Sequence, residues 1–102
     1  MTHEEAKAHF IRCDMQGWIP LLDELYKALP AGVQVTEVFQ KWAIFTVRTT
    51  DCPPDFEDFI DELGEKSRTM CEMCGQEATQ AVIGAWEMTV CEEHRRALTR
   101  ST

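Results

Sequence analysis

Two short motifs limit what the C-terminal third of this chain can fold into. Cys71 and Cys74 are separated by two residues, and Cys91 and His94 repeat that spacing after sixteen intervening residues. Two ligands within one tight turn can point toward a common ion, and the intervening chain is long enough for a hairpin. The spacing therefore predicts one metal ion held by Cys71, Cys74, Cys91 and His94.

The segment between the two motifs has the composition of a β-hairpin. Residues 79–83 and 86–90 are apolar and β-prone, and Gly84 lies between them. Gly75 lets the backbone curl after the first motif, so that its amides approach the thiolate sulfurs. The shape predicted for this segment is a small zinc ribbon.

Three cysteines and one histidine form the ligand set of a structural zinc site. All four tetrahedral positions are filled by protein, which leaves none for a water molecule or a substrate. We therefore expect one structural Zn²⁺ and no catalysis at the metal. Three thiolates add −3 and zinc adds +2, so the formal charge would change from −8 to about −9.

Two enzymatic interpretations of the cysteines are weaker. A Cys-x-x-Cys redox pair usually opens a helix in a thioredoxin-like βαβ unit, and it would leave Cys91 and His94 unexplained. A zinc deaminase needs His-x-Glu followed by Pro-Cys-x-x-Cys and an open metal position. Residues 3–5 read His-Glu-Glu, but the second motif is missing. The sequence therefore favours a protein that is not an enzyme.

The composition is that of one folded domain with an acidic surface. The chain has 102 residues, of which 44% are hydrophobic and 27% charged. Its N-terminus is acidic and no apolar run approaches about 18 residues, so we expect a cytoplasmic protein without a membrane segment. Five cysteines, an odd number, argue against a disulfide framework. A net charge of −8 makes nucleic acid an improbable partner and favours a protein with a basic surface.

The first 69 residues predict helices and one pair of strands. Thr2 and Glu5 form a capping-box pattern at the start of a helix over residues 2–13. A second helix follows Gly17, with an apolar stripe made of Trp18, Leu21, Leu22, Leu25 and Leu29. Residues 33–39 and 42–48 have the composition of paired strands joined around Gln40 and Lys41.

A third helix is predicted after the breaker at residues 51–54. Asp55 can cap it, and it ends near Gly64 with an apolar face formed by Phe56, Phe59, Ile60 and Leu63. The polar stretch 65–69 then joins this part to the cysteine-rich part.

Several other side chains are assigned to the core. Cys13 and Cys52 have no partner at metal spacing, which favours buried apolar thiols. The three tryptophans lie in apolar segments and are expected to be core residues: Trp18, Trp42 and Trp86.

Acidic residues dominate the segment 51–65, which contains seven carboxylates and no lysine or arginine. A solvated helix face is one explanation. The other is a partner-binding surface that docks on a basic groove, for which the candidate residues are Glu57, Asp58, Asp61 and Glu62. Arg95, Arg96 and Arg100 form a basic tip on a last helix, which is more typical of pairing with acids than of reading nucleic acid.

The order of these features resembles a family of small phage and prophage proteins. Its members have a Gly-Trp and Pro-Leu helix, a strand pair, a serine and a C-terminal zinc-binding pair of motifs. The matching segments here are CDMQGWIPLLDEL (residues 13–25), Ser67, CEMCG (71–75) and WEMTVCEEH (86–94). The family's basic, glycine-bearing stretch in the middle is replaced by EVFQKWAIFTVR (37–48). The resemblance implies a phage origin and zinc at the same four ligands, but no activity.

Together these features predict an α+β protein in which helices pack on a short antiparallel sheet, followed by a zinc ribbon. The predicted regions are residues 1–69 and 70–102, forming one compact unit. We expect a non-catalytic zinc protein of phage type that binds and inhibits a host or competitor protein through its acidic surface. The alternative is a zinc-ribbon accessory factor for nucleic acid.

Overall fold

The computed structural model describes residues 1–100, which form an α+β fold measuring 46 × 23 × 22 Å. Two antiparallel hairpins, β1–β2 and β3–β4, form separate sheets. In chain order the elements are α1 (His3–Arg12), a 3₁₀ turn (Gln16–Trp18), α2 (Ile19–Lys27), β1 (Val35–Lys41), β2 (Ile44–Thr49), α3 (Pro54–Ser67), β3 (Thr79–Ile83), β4 (Trp86–Val90) and α4 (Glu92–Arg100). No helix in this part of the chain is long and apolar enough to cross a membrane.

The predicted N-terminal capping box is present. Thr2 Oγ1 accepts a hydrogen bond from the Glu5 amide at 3.1 Å, and Glu5 Oε1 accepts one from the Thr2 amide at 2.8 Å. These bonds hold the pKa of Glu5 below its ordinary value, chiefly through the Thr2 amide. The box satisfies two amides that the first turn of a helix leaves without partners, so α1 begins where the sequence indicated.

The main core lies between the helices and the first hairpin. Trp18, Phe10 and Phe45 are fully buried, and the rings of Trp18 and Phe10 each meet Phe45 edge to face. The predicted stripe of α2 supplies Leu21, Leu22 and Leu25 to the same core, whereas Leu29 is only partly buried.

The first hairpin turns two residues later than predicted. Lys41 pairs with Ile44, so the turn is formed by Trp42 and Ala43 rather than by Gln40 and Lys41. Both turn residues have positive φ angles, 55° and 65°, as a two-residue type I′ turn requires. The prediction was wrong because neither turn residue is the glycine or asparagine that usually marks such a turn.

Helix α3 is longer than the sequence suggested. It starts at Pro54 and ends at Ser67, and Pro53 rather than Asp55 occupies the capping position. The stretch predicted as a polar link, residues 65–69, therefore begins as the last turn of this helix. Its predicted apolar face is confirmed: Phe56 and Leu63 are buried, while Phe59 and Ile60 pack partly buried against the core.

Three predicted core side chains lie at the surface. Cys13 is exposed, and the Trp42 and Trp86 side chains are 70% and 74% exposed. Both tryptophans lie at a hairpin turn or beside one, where the sheet offers little cover. The other two predictions agree better with the structure. Trp18 is fully buried, and Cys52 packs partly buried against the core.

Ser67 joins the last turn of α3 to the first hairpin. Its hydroxyl donates to the Gly64 carbonyl at 2.6 Å and accepts from the Phe45 amide at 3.0 Å, and the side chain is fully buried. The Phe45 amide lies in the core, where no water can replace this partner. One hydroxyl therefore fixes how α3 packs on β2.

Replacing Ser67 with alanine should lower the free energy of unfolding by about 1–3 kcal/mol, because the Phe45 amide loses its buried acceptor. Urea denaturation measures the change. Thr69→Ala is the matched control, since its hydroxyl makes a long bond to Lys66 at the exposed end of the same helix. That control should cost less than about 0.5 kcal/mol. Equal losses in the two variants would contradict the assigned role of Ser67.

Candidate metal centre

The first ligand pair lies in a tight turn between α3 and the second hairpin. The Gly75 amide donates to the Cys71 carbonyl, and the Cys71 amide donates to the Gln76 carbonyl, both at 2.7 Å. Gly75 closes the turn with φ of 80°, a conformation that side chains rarely adopt. These bonds curl residues 71–76 so that the two cysteine side chains point to the same side, as the sequence predicted.

The second ligand pair comes from the junction of β4 and α4. Cys91 directly follows β4, and His94 lies one turn later in α4. The Arg95 amide donates to the Cys91 carbonyl at 2.9 Å, which closes the first turn of this helix. The two strands predicted for the ribbon, β3 and β4, have the predicted bounds. The last helix that the sequence indicated is present as α4, and it carries the final ligand.

The four donor atoms lie close enough together to bind one metal ion. They all lie within 4.8 Å of one another. The Sγ atoms of Cys74 and Cys91 are 3.7 Å apart, and His94 Nδ1 lies 3.5 Å from Cys71 Sγ and 3.2 Å from Cys91 Sγ. Zinc–sulfur and zinc–nitrogen bonds of about 2.3 and 2.0–2.1 Å at tetrahedral angles give separations of about 3.8 Å and 3.6 Å. The structure therefore shows a Cys₃His cluster able to hold a metal ion, with Nδ1 as the histidine donor.

Two thiols of the cluster differ in their tendency to ionise. The His94 amide, at the start of α4, is the main cause that lowers the pKa of Cys91 to about 7. Desolvation is the main cause that raises the pKa of Cys74 to about 11, and neighbouring thiols add to it. Crowding of three sulfurs disfavours three thiolates unless a cation is present. A divalent ion bound here would supply the positive charge that lets all three thiols ionise.

The metal turn rests on the 3₁₀ turn of residues 16–18. The Gly17 amide donates to the Glu72 carbonyl at 2.8 Å, Gln16 Nε2 donates to the Met73 carbonyl at 2.9 Å, and Trp18 Nε1 donates to the Met70 carbonyl at 2.8 Å. A Cβ at Gly17 would lie 2.1 Å from the Cys71 carbonyl oxygen and 2.6 Å from the Cys74 amide nitrogen. Only glycine allows this contact.

Glu72 is a buried acid that the sequence did not reveal. It lies between the first two ligands, is 3% exposed, and accepts hydrogen bonds from the Thr89 amide at 3.1 Å and from Gln40 Nε2 at 3.2 Å. Burial is the main cause that raises its pKa. The side chain links the metal turn to β4 and to β1. In the sequence, a glutamate between two cysteines looks the same whether its side chain is buried or exposed to solvent.

The four candidate partner-binding acids lie apart from the metal cluster, on the solvent side of α3. All four side chains are exposed, and none forms an ion pair with any of residues 1–100: Glu57, Asp58, Asp61 and Glu62. Three of them border one shallow concavity with Glu65 and Lys66, and Glu57 shares a groove with Asp61 and β2. The helix therefore groups these carboxylates on one surface.

The arginines of α4 are largely engaged within their own helix. Arg95 and Arg96 both donate to the Glu92 carboxylate, at 2.8 Å and 3.0 Å. Their donation also lowers the pKa of Glu92, with Arg95 as the main cause. The pairing with acids that the sequence favoured is thus present for two of the three arginines.

Comparison with protein-family models, curated proteins and solved structures gives no match for this chain. Function must therefore be inferred from the chemistry of the site rather than from relatives.

Gly17→Ala should weaken metal binding about 10- to 100-fold, the usual effect of disturbing the groups that support metal ligands. The added methyl collides with the backbone on which Cys71 and Cys74 are carried. Competition with a chromophoric zinc chelator measures the affinity.

Gly32→Ala is the control for this experiment. It has φ of 82° but no atom within 4 Å of an added Cβ. It should cost about 1–2 kcal/mol of stability through backbone strain and leave metal affinity unchanged. An unchanged affinity in Gly17→Ala would contradict the proposed support of the metal turn by residues 16–18.

Proposed function

We propose that the cluster holds one structural Zn²⁺ and that the chain is a non-catalytic protein-binding module. The observation that carries the zinc assignment is the convergence of three cysteine sulfurs and one histidine nitrogen within 4.8 Å of one another, with three of the separations between 3.2 and 3.7 Å. A soft sulfur-rich set of this kind suits zinc better than calcium, magnesium or manganese. With four protein ligands the ion has no open position, so its role is to join the metal turn to α4.

The proposed partner is a protein with a basic surface, bound through the carboxylates of α3. Support comes from their exposure and from the lack of ion pairs to them within residues 1–100. The negative electrostatic field of these carboxylates speeds the encounter with a cationic partner and repels nucleic-acid phosphates. We favour protein over nucleic acid because Glu92 already binds Arg95 and Arg96. Inhibition of a host or competitor protein, a cytoplasmic location and a phage origin remain predictions from the sequence.

Metal removal should unfold the C-terminal third while the main core persists. The apolar core of residues 6–63 contains none of the ligands, whereas the second cluster is built around Cys71 and Cys91. Zinc binding in small peptides is worth about 10–16 kcal/mol near neutral pH, which exceeds what so small a cluster supplies by itself. Elemental analysis should give one zinc per chain, and amide NMR signals of residues 70–100 should collapse when a strong chelator is added.

His94→Ala tests the ligand assignment against a matched histidine. The control is His9→Ala, which changes a partly buried histidine on α1 remote in sequence from the motifs. His94→Ala should lose metal affinity by several orders of magnitude, whereas the control should not change it. Metal-free protein with an ordered C-terminal third would disprove the structural role of zinc.

Neutralising the α3 surface should slow partner binding without unfolding the chain. The variant changes Glu57 and Glu62 to glutamine and Asp58 and Asp61 to asparagine. Because these like charges repel one another and touch no cation in residues 1–100, stability should change by less than about 0.5 kcal/mol per site. The association rate with a basic protein captured from a bacterial lysate should fall on the order of tenfold at low salt.

A charge-matched control separates the position of the acids from the net charge. It neutralises four exposed acids outside α3, namely Glu4, Asp51, Glu77 and Glu93. This control should retain most of the association rate. Equal rates for both variants would show that α3 is only a solvated surface.

A further inference from the structure

The tips of the two hairpins expose an apolar surface that neither the metal nor the acidic helix explains. Trp42, Val82 and Trp86 are 70%, 70% and 74% exposed, and we call these three side chains the tryptophan surface. Trp42 borders two adjoining grooves, one of about 430 Å³ shared with Trp86 and one of about 180 Å³ shared with Val82. Trp42 therefore lies between the other two side chains, with the Val82 groove on one side and the Trp86 groove on the other.

The two hairpins are held together beneath this patch. Thr89 Oγ1 donates to the Ala43 carbonyl at 2.6 Å, and Gln40 Nε2 donates to the Glu87 carbonyl at 2.9 Å. Thr89 is fully buried, so the first bond is protected from water. The relative position of Trp42 and Trp86 is thus set by the fold before anything binds.

Folding alone does not account for a tryptophan in the first turn. Trp42 and Ala43 have φ of 55° and 65°, where asparagine and glycine are favoured and bulky residues are rare. Such a conformation costs about 1–2 kcal/mol per residue, and the exposed indole recovers little of it by burial. A strained residue that packs poorly within its own chain is typical of a functional surface.

The groove between the tryptophans carries one unpaired charge of each sign. Lys41 and Glu87 both line it, and neither side chain forms an ion pair with any of residues 1–100. A twofold arrangement that set Lys41 of one copy against Glu87 of the other would also form the reverse pair by symmetry. A second copy of the chain would thus match both charges of the groove.

We propose that the tryptophan surface pairs two copies of this chain about a twofold axis. The two partly exposed indoles offer about 200–350 Å² of apolar area, since a tryptophan buries at most about 250 Å². This area lies below the low end of specific interfaces, about 600 Å² per partner, even with Val82 added. The dimer is accordingly weak, and the net negative charge on each copy, −8 before zinc is added, opposes it. Salt screens this long-range repulsion more than the close Lys41–Glu87 contacts, so salt should strengthen the dimer.

Sedimentation of the zinc-loaded protein tests the proposal. We expect a monomer–dimer equilibrium between about 10 μM and 1 mM, shifted toward dimer by raising NaCl from about 0.05 to 0.5 M. Trp42→Asn should be monomeric over this range and more stable than the parent, because asparagine accepts the turn conformation. Ile11→Asn is the control, since it removes another exposed apolar side chain, on α1, and should leave the dimer intact.

Charge reversal tests the twofold geometry directly. Lys41→Glu alone places two like-charge contacts in the dimer, and so does Glu87→Lys alone, so each variant should be monomeric. Mixing the two variants should restore a dimer of one copy of each, because both contacts then join opposite charges. An ion pair within one chain could not be rescued by mixing.

Three results would overturn the proposal. The parent protein could remain monomeric at 1 mM in both salts, Trp42→Asn could sediment like the parent, or mixing could fail to restore the dimer. If the monomeric parent instead captures another protein and Trp42→Asn does not, the surface belongs to a different partner.

Discussion

The convergence of four donor atoms depends on how closely the backbone of Gly17 approaches the metal turn. A hydrogen bond from its amide to Glu72 and the missing Cβ let residues 16–18 lie directly against residues 71–75. The positions of Cys71 and Cys74 therefore depend on contacts with residues 16–18, which lie more than fifty positions earlier in the chain. Because the same turn places Trp18 in the main core, the N-terminal helices and the metal cluster share one support.

The proposed zinc ion would join elements that pack weakly by themselves. The second cluster buries only four residues, so the strands β3 and β4 and the helix α4 have little apolar area to hold them together. A metal bound here would take the place of a core at this end, and the buried acceptor Glu72 connects the metal turn to the first hairpin and to β4. Ser67 ties α3, which carries the acidic residues, to the first hairpin, and Thr89 ties that hairpin to the second one.

The sequence predicted the structure well wherever a feature depends on residues that are close together in the chain. The ligand pairs, the Thr2 cap and the strands around Gly84 each depend on residues a few positions apart. What the sequence did not show depends on distant neighbours. The turn at Trp42 has no glycine signal, and its Ala43 carbonyl is bound by Thr89 from another hairpin. From the sequence, Glu72 would be taken for a surface acid, but in the structure it is buried.

X-ray absorption at the zinc K edge tests the metal assignment most directly, since it reports the atoms bound to the ion. The zinc-loaded protein should show three sulfur neighbours at about 2.3 Å and one nitrogen at about 2.0–2.1 Å, with no water. Nitrogen NMR should assign that nitrogen to His94 Nδ1, the atom that faces Cys71 and Cys91. A shell dominated by oxygen or nitrogen, or an ion with an open position, would contradict a closed structural zinc site.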